Sequence, residues 1–124
     1  MSTRDELKSR LFLRVALPLT KVVREEDPRM RRLTRNMSAV VQFAVKGTDT
    51  GAHLIFADDA LEVAQGIHEN PTVSFTFKDL KSLNDFFAGG LALPRIKGLW
   101  RLDVILRTVP LLLSLKMLMP DSDP

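Results

Sequence analysis

The chain contains no cysteine and no tyrosine, a single tryptophan and two histidines. Without cysteine there are no disulfides and no thiolate metal sites. Without cysteine and tyrosine, two common catalytic groups are gone. His53 and His68 do not form a helical pair. His68-Glu69, even taken with Asp58 and Asp59, lacks the recurring ligand spacing that metal sites use. There is no Gly-x-Ser-x-Gly elbow, no Walker glycine loop and no dinucleotide fingerprint after a strand, so three large enzyme classes lack their signatures. Asp58-Asp59 falls in a turn, where its carboxylates are expected to point apart and into solvent. No enzymatic activity and no cofactor are expected.

Long uncharged runs are missing too. The C-terminal stretch LWRLDVILRTVPLLLSLKMLMP is interrupted by Arg101, Asp103, Arg107 and Lys116. No uncharged run approaches the ~18 residues of a membrane-spanning helix. The N-terminal MSTRDELKSRLFLRVALPL carries charges through Arg14, and no small-residue cleavage site follows its short apolar run. No secretory signal is expected from it, and the cytoplasm is the expected compartment.

What is present is a chain of 124 residues, 45% apolar and 27% charged. That length suits one domain, able to bury roughly two thirds of its unfolded surface. The expected layout is a helical region over 1–37, a sheet core over 38–98, and an apolar helix and tail over 99–124. The net charge is only +3, but Arg24, Arg29, Arg31, Arg32 and Arg35 crowd together. RMRRLTR lacks interleaved aromatics and follows the acidic residues 25–27, so a nucleic-acid partner is not expected. Such a run is either a solvated helix face or, for Arg29, Arg31, Arg32 and Arg35, a contact with anionic lipid head groups. The latter is worth about 1 kcal/mol per basic residue near a charged surface.

Periodicity divides the chain. Leu7, Leu11, Phe12, Val15 and Ala16 recur at helical spacing and predict a first helix over 4–17, limited by Pro18. A short helix follows over 19–26, and Asp27-Pro28 opens a third over about 28–36. AVVQFAVKG then alternates as a strand, with Val41, Phe43 and Val45 on one face. GTDTG turns the chain into AHLIFADD, and Asp58-Asp59 into ALEVAQGI. HENP leads to TVSFTF, with Val73, Phe75 and Phe77 inward. Three strands joined by short turns predict an antiparallel meander. Asp79 caps a helix whose Leu80, Leu83, Phe86 and Phe87 share a face, with Lys81, Asn84 and Asp85 on the other, and Gly89 or Gly90 stops it. LALPRIKG reads as a fifth strand that Pro94 confines to an edge or makes irregular. A last helix over 99–118 should kink or divide at Pro110.

The ordered set of Phe43 with Gly51, Val63 with Gly66, Asn70-Pro71, Val73-Phe75-Phe77, Lys78-Asp79, Leu83, Phe87-Ala88-Gly89 and Ile96-Lys97-Gly98 resembles the sterol carrier protein-2 family of lipid-binding domains. The resemblance covers residues 38–98. It departs where Gly98 is followed by Leu99-Trp100, and where Pro94 interrupts the last strand. It implies an α/β (α+β) domain with a roughly five-stranded, mostly antiparallel sheet, helices on one face and an apolar tunnel between the layers. It also implies non-covalent binding, and carriage or presentation, of a fatty acyl, sterol-like, phospholipid or isoprenoid lipid. The expected pocket residues are Phe75, Phe77, Leu83, Phe86, Phe87, Trp100, Ile105 and Leu112, with residues 111–119 as a cover. An accessory role in isoprenoid quinone synthesis is an alternative. So is a non-lipid interaction module docking through the C-terminal helix. The partners are then a lipid or fatty acyl ligand, transient contact with a membrane surface, and a homodimer or a partner enzyme.

Overall fold

Side-chain alternation over residues 39–77 builds the sheet. The computed structural model describes residues 3–90 and 93–118. Strands β1 (Ala39–Val45), β2 (Gly51–Ala57) and β3 (Ala60–Gln65) form the expected antiparallel meander. The next strand, β4 (Val73–Phe77), does not continue it. It pairs parallel to β1, with Phe43 opposite Phe75. Strand β5 (Arg95–Lys97) lies antiparallel to β4 at the edge, and the sheet order is β3-β2-β1-β4-β5. HENP is therefore part of a crossover rather than a hairpin turn. Its placement brings Val73, Phe75 and Phe77 onto the face that already carries Phe43. Of the expected edge strand LALPRIKG, residues 91 and 92 lie outside the described residues.

The crossover, residues 66–72, closes the sheet face turned away from the helices. The His68 amide donates to the Gln42 side-chain carbonyl at 2.6 Å, and Gln42 in turn donates to the Ser74 hydroxyl at 3.2 Å. A Cβ on Gly51 would stand 2.8 Å from the Ile67 side chain and 2.5 Å from the Phe43 carbonyl, so only glycine lets this loop settle on β2. The rings of His53 and His68 meet edge to face at 5.1 Å. His53 Nδ1 bonds to the Gly66 carbonyl and His68 Nδ1 accepts from the Asn70 amide. Both histidines thus hold the crossover in place.

On the other face lie α1 (Thr3–Arg10), a π-helical segment (Leu11–Ala16), α2 (Leu19–Glu26), α3 (Pro28–Leu33), α4 (Leu80–Phe87), and α5 (Leu102–Leu118) preceded by a 3₁₀ turn (Leu99–Arg101). The two predicted caps hold. Asp27 accepts from the Arg29 amide at 2.9 Å and Asp79 from the Ser82 amide at 2.8 Å. Gly89, at φ 89°, ends α4 in the left-handed region.

Four expectations need correction. The first helix changes to i→i+5 bonding, seen where the Leu17 amide reaches the Phe12 carbonyl at 2.8 Å. Ser9, Leu13, Ala16 and Leu17 face the core, while Leu7, Leu11 and Val15 face out. The last helix begins at Leu102 rather than at 99, after the 3₁₀ turn, and runs to Leu118 with Pro110 inside it. Asn84 is buried, not on an outer face: it accepts from the Ser9 hydroxyl at 2.9 Å and donates to the Asp5 carbonyl at 3.0 Å, clamping α4 to α1. Arg24 does not belong to the exposed basic run. It is buried, bonded to the Thr34 hydroxyl at 2.8 Å and to the exposed Asp59 carboxylate at 2.9 Å.

Candidate functional site

The alternation of β4 and the three-and-four spacing on α4 bring six aromatic rings together. Phe75 stacks on Phe43 of β1 with centroids 5.3 Å apart, and Phe77 meets Phe86 at 5.2 Å. Phe87 contacts Phe43 at 5.4 Å and Phe86 at 5.5 Å. Phe12, from the π-helical segment, stacks on Phe87 at 5.5 Å. Leu83 is fully buried beside them, and Phe86 is only half-buried. The rings fill the space between sheet and α4 against one another.

Of the eight residues expected to line a pocket, Phe75, Phe77, Leu83, Phe86 and Phe87 share this cluster. Ile105 and Leu112 on α5 are half-buried and pack against the same core. Trp100 does not join it: the indole is 79% exposed, with the Arg101 guanidinium 5.6 Å from its ring. Sequence reasoning missed Phe12 and Phe43 as members. Phe43 had a legible signal, since it alternates with Val41 and Val45 toward the same face.

Helix α5 is apolar on two opposed sides. Val104, Thr108, Leu111 and Leu115 are buried, with the Thr108 hydroxyl satisfied by the Val104 carbonyl at 2.8 Å. Leu99, Leu102, Leu106, Val109 and Leu113, spaced by three and four residues, are exposed. Leu111 and Leu115 thus make the start of the expected cover part of the packed core. Residue 119, at its far end, lies outside the described residues. Arg29, Arg31, Arg32 and Arg35 are all exposed. Arg29 pairs with Asp27 at 3.3 Å, and Arg31 donates to the Glu25 carbonyl. Helix α3 rests on α5 where Ser114 meets the Met30 sulfur at 3.8 Å.

Two clefts open near the ring cluster. One, of about 810 Å³, lies at the carboxyl ends of β1 and β4. Lys46, Thr76, Phe77, Lys78, Asp79, Lys81, Ser82, Asp85, Leu93 and Arg95 line it. The Lys46 amide donates to the Phe77 carbonyl at 2.8 Å, which fixes the two strand ends side by side. The Ser82 amide, received by the Asp79 carboxylate, holds that carboxyl below the usual range, and Lys78 and Lys81 add to the effect. The second cleft, about 520 Å³, lies between the first helix and β2–β3, and includes Glu6, Arg10, Arg14 and Asp49.

The ring cluster itself has no titratable group, so what it offers is burial. Each methylene removed from water contributes about 0.8 kcal/mol. Among the described residues no group of three or more His, Cys, Asp or Glu is placed to hold a metal ion, and no helix is long and apolar enough to cross a membrane.

No family model matches the chain, and no curated protein matches it. Among solved structures it is similar to one titled "UbiJ-SCP2 Ubiquinone synthesis protein", at 14% identity and a TM-score of 0.46, over 94% of this chain and 97% of that one.

Proposed function

We propose that this protein binds a long-chain lipid without covalent chemistry and carries or presents it. The observation that carries this reading is the second apolar face of α5, in a domain whose core holds a cluster of six aromatic rings. The inner face of the helix already meets the core through Val104, Leu111 and Leu115, and the opposite face is left in water. Extended apolar surface of this kind is seldom kept exposed without a partner. The order of turn and strand residues over 38–98, which resembles the sterol carrier protein-2 pattern, supports the same reading. The acyl chain enters between sheet and helices where Phe86 is half-buried, and displaces or parts the rings. Met30, half-buried against the core, can adapt to different chains. The exposed arginines of α3 and the outer face of α5 then meet an anionic membrane surface during loading or release.

The test compares two equal truncations. Phe87→Leu removes a ring from the cluster. Phe56→Leu removes one that is equally part of the core, but on β2 and outside the ring contacts. Each should cost on the order of 1 kcal/mol in stability. Displacement of a fluorescent fatty acid should weaken several-fold in Phe87→Leu and change little in Phe56→Leu. Equal losses in both would remove the ring cluster from the binding site.

A second reading has its own support. The three-and-four spacing of Leu99, Leu102, Leu106, Val109 and Leu113 matches an apolar helix seam. On that reading the outer face of α5 docks another helix.

A further inference from the structure

The cleft at the carboxyl ends of β1 and β4 carries more positive than negative charge. Lys46, Lys78, Lys81 and Arg95 face two carboxylates there, leaving an excess of two positive charges. One of those carboxylates, Asp79, is already engaged by the Ser82 amide at 2.8 Å. The four ion pairs found among the described residues join Lys21 to Glu62, Arg24 to Asp59, Arg29 to Asp27 and Arg101 to Asp103. None includes a cation of this cleft. The neighbouring cleft is different: Arg10 and Arg14 there are balanced by Glu6 and Asp49.

The four cations come from separate elements. Lys46 and Lys78 follow the ends of two parallel strands, Lys81 stands in the first turn of α4, and Arg95 opens the edge strand β5. A multiply charged anion seated in the cleft would be attracted to all four cations at once. Two apolar residues, Phe77 and Leu93, line the cleft with them. Phe77 lines the cleft and also touches Phe86 in the ring cluster, so the cleft runs from a cationic rim to the edge of that cluster. Its volume of about 810 Å³ is that of a ligand site.

We infer that this cleft binds a phosphate or diphosphate group, with Lys46, Lys78, Lys81 and Arg95 as its charge partners and Phe77 as the start of the path for an attached chain. Phosphate fits better than a single carboxylate, because two or more negative charges match the excess of two, and arginine can engage two of its oxygens at once. The inference builds on the lipid-binding reading and narrows the ligand to an anionic amphiphile. The same chemistry could also come from free phosphate.

The experiment uses the full chain and titration calorimetry with dodecyl phosphate, dodecanol and inorganic pyrophosphate, the first two kept monomeric. Dodecyl phosphate should bind about tenfold tighter than dodecanol, as expected for several partly exposed charge contacts. Lys81→Gln/Arg95→Gln, which removes one cation of α4 and one of β5 from the cleft, should reduce that preference to less than about threefold. Arg10→Gln/Arg14→Gln, which removes the same charge from the neighbouring cleft, should leave the preference intact. If pyrophosphate competes with dodecyl phosphate, the seat also takes free phosphate. If it does not, the anion must be a lipid head group. Equal binding of both alkyl probes would overturn the inference and leave the lipid reading standing, as would a preference that survives Lys81→Gln/Arg95→Gln. Pyrophosphate binding that is lost in that variant, with neither alkyl probe bound, would support the anion seat and remove the lipid reading.

Discussion

The guanidinium of Arg24 and the carboxylate of Asp59 meet at 2.9 Å and tie α2 to the β2–β3 turn. The arginine side chain is 5% exposed and the aspartate 53%. Asp59 also accepts from the Asn36 amide at 3.0 Å, so one carboxylate links the helical layer, the entry to β1 and a two-residue turn. That turn puts both Asp58 and Asp59 at positive φ, 53° and 55°, which side-chain hydrogen bonding helps an aspartate tolerate. Replacing Arg24 with Leu should lower stability by about 2 kcal/mol, the scale of a lost hydrogen bond to a charged group. Arg24→Lys should recover little, because one ammonium cannot span Thr34 and Asp59 as the planar fork does. Denaturant midpoints at unchanged m-value measure both.

The same carboxylate sets an acid limit on the fold. The Asn36 amide, and after it the Arg24 guanidinium, hold Asp59 below the usual carboxylate range. Asp79 is lowered in the same direction by its capping role. A depressed folded-state pKa contributes stability that is fully present above the unfolded value, about 3.9 for aspartate, and is lost as pH falls through the lower folded value. Stability should therefore hold from neutral pH down to about 5 and fall more steeply below about 4. Asp59→Asn should flatten that acid slope in a thermal unfolding series. An unchanged slope would mean that Asp59 titrates alike in folded and unfolded chains.

The parts that were legible in sequence are those set by near neighbours. Asp27 and Asp79 cap because their side chains reach amides two and three residues on. Val73, Phe75 and Phe77 share a face because strands alternate. Leu83, Phe86 and Phe87 share one because helices repeat every three or four residues. These two local rules brought five of the eight expected pocket residues into contact. The remainder depended on distant partners. Arg24 looks like any other arginine of its run until Asp59, thirty-five residues away, buries it. Asn84 looks like an outward residue until Ser9 supplies its partner. HENP has the composition of a hairpin turn, and only the need to bury β4 beside β1 makes it a crossover. Trp100, expected in the pocket, stands in a 3₁₀ turn ahead of the first buried position of α5, Val104.

The outer face of α5 gives the last prediction. Leu106 and Leu113 are 60% and 56% exposed, and neither serves the core. Changing both to Gln should therefore leave the unfolding midpoint nearly unchanged, since surface substitutions of this kind stay within about 0.5 kcal/mol. On the membrane reading it should reduce binding to vesicles containing anionic lipid. Charge reversal at Arg32 and Arg35 should reduce it further and remove its salt dependence, because exposed charges are screened over about 10 Å at 0.1 M salt. Neither change should alter fatty-acid affinity measured without vesicles. Sedimentation separates this from the helix-docking reading. If the face is a seam for another helix, the wild-type chain should associate with rising concentration and the Leu106→Gln/Leu113→Gln variant should not. A chain that stays monomeric and ignores vesicles of either charge would show that this face serves neither purpose. The case for lipid binding would then rest on the ring cluster alone.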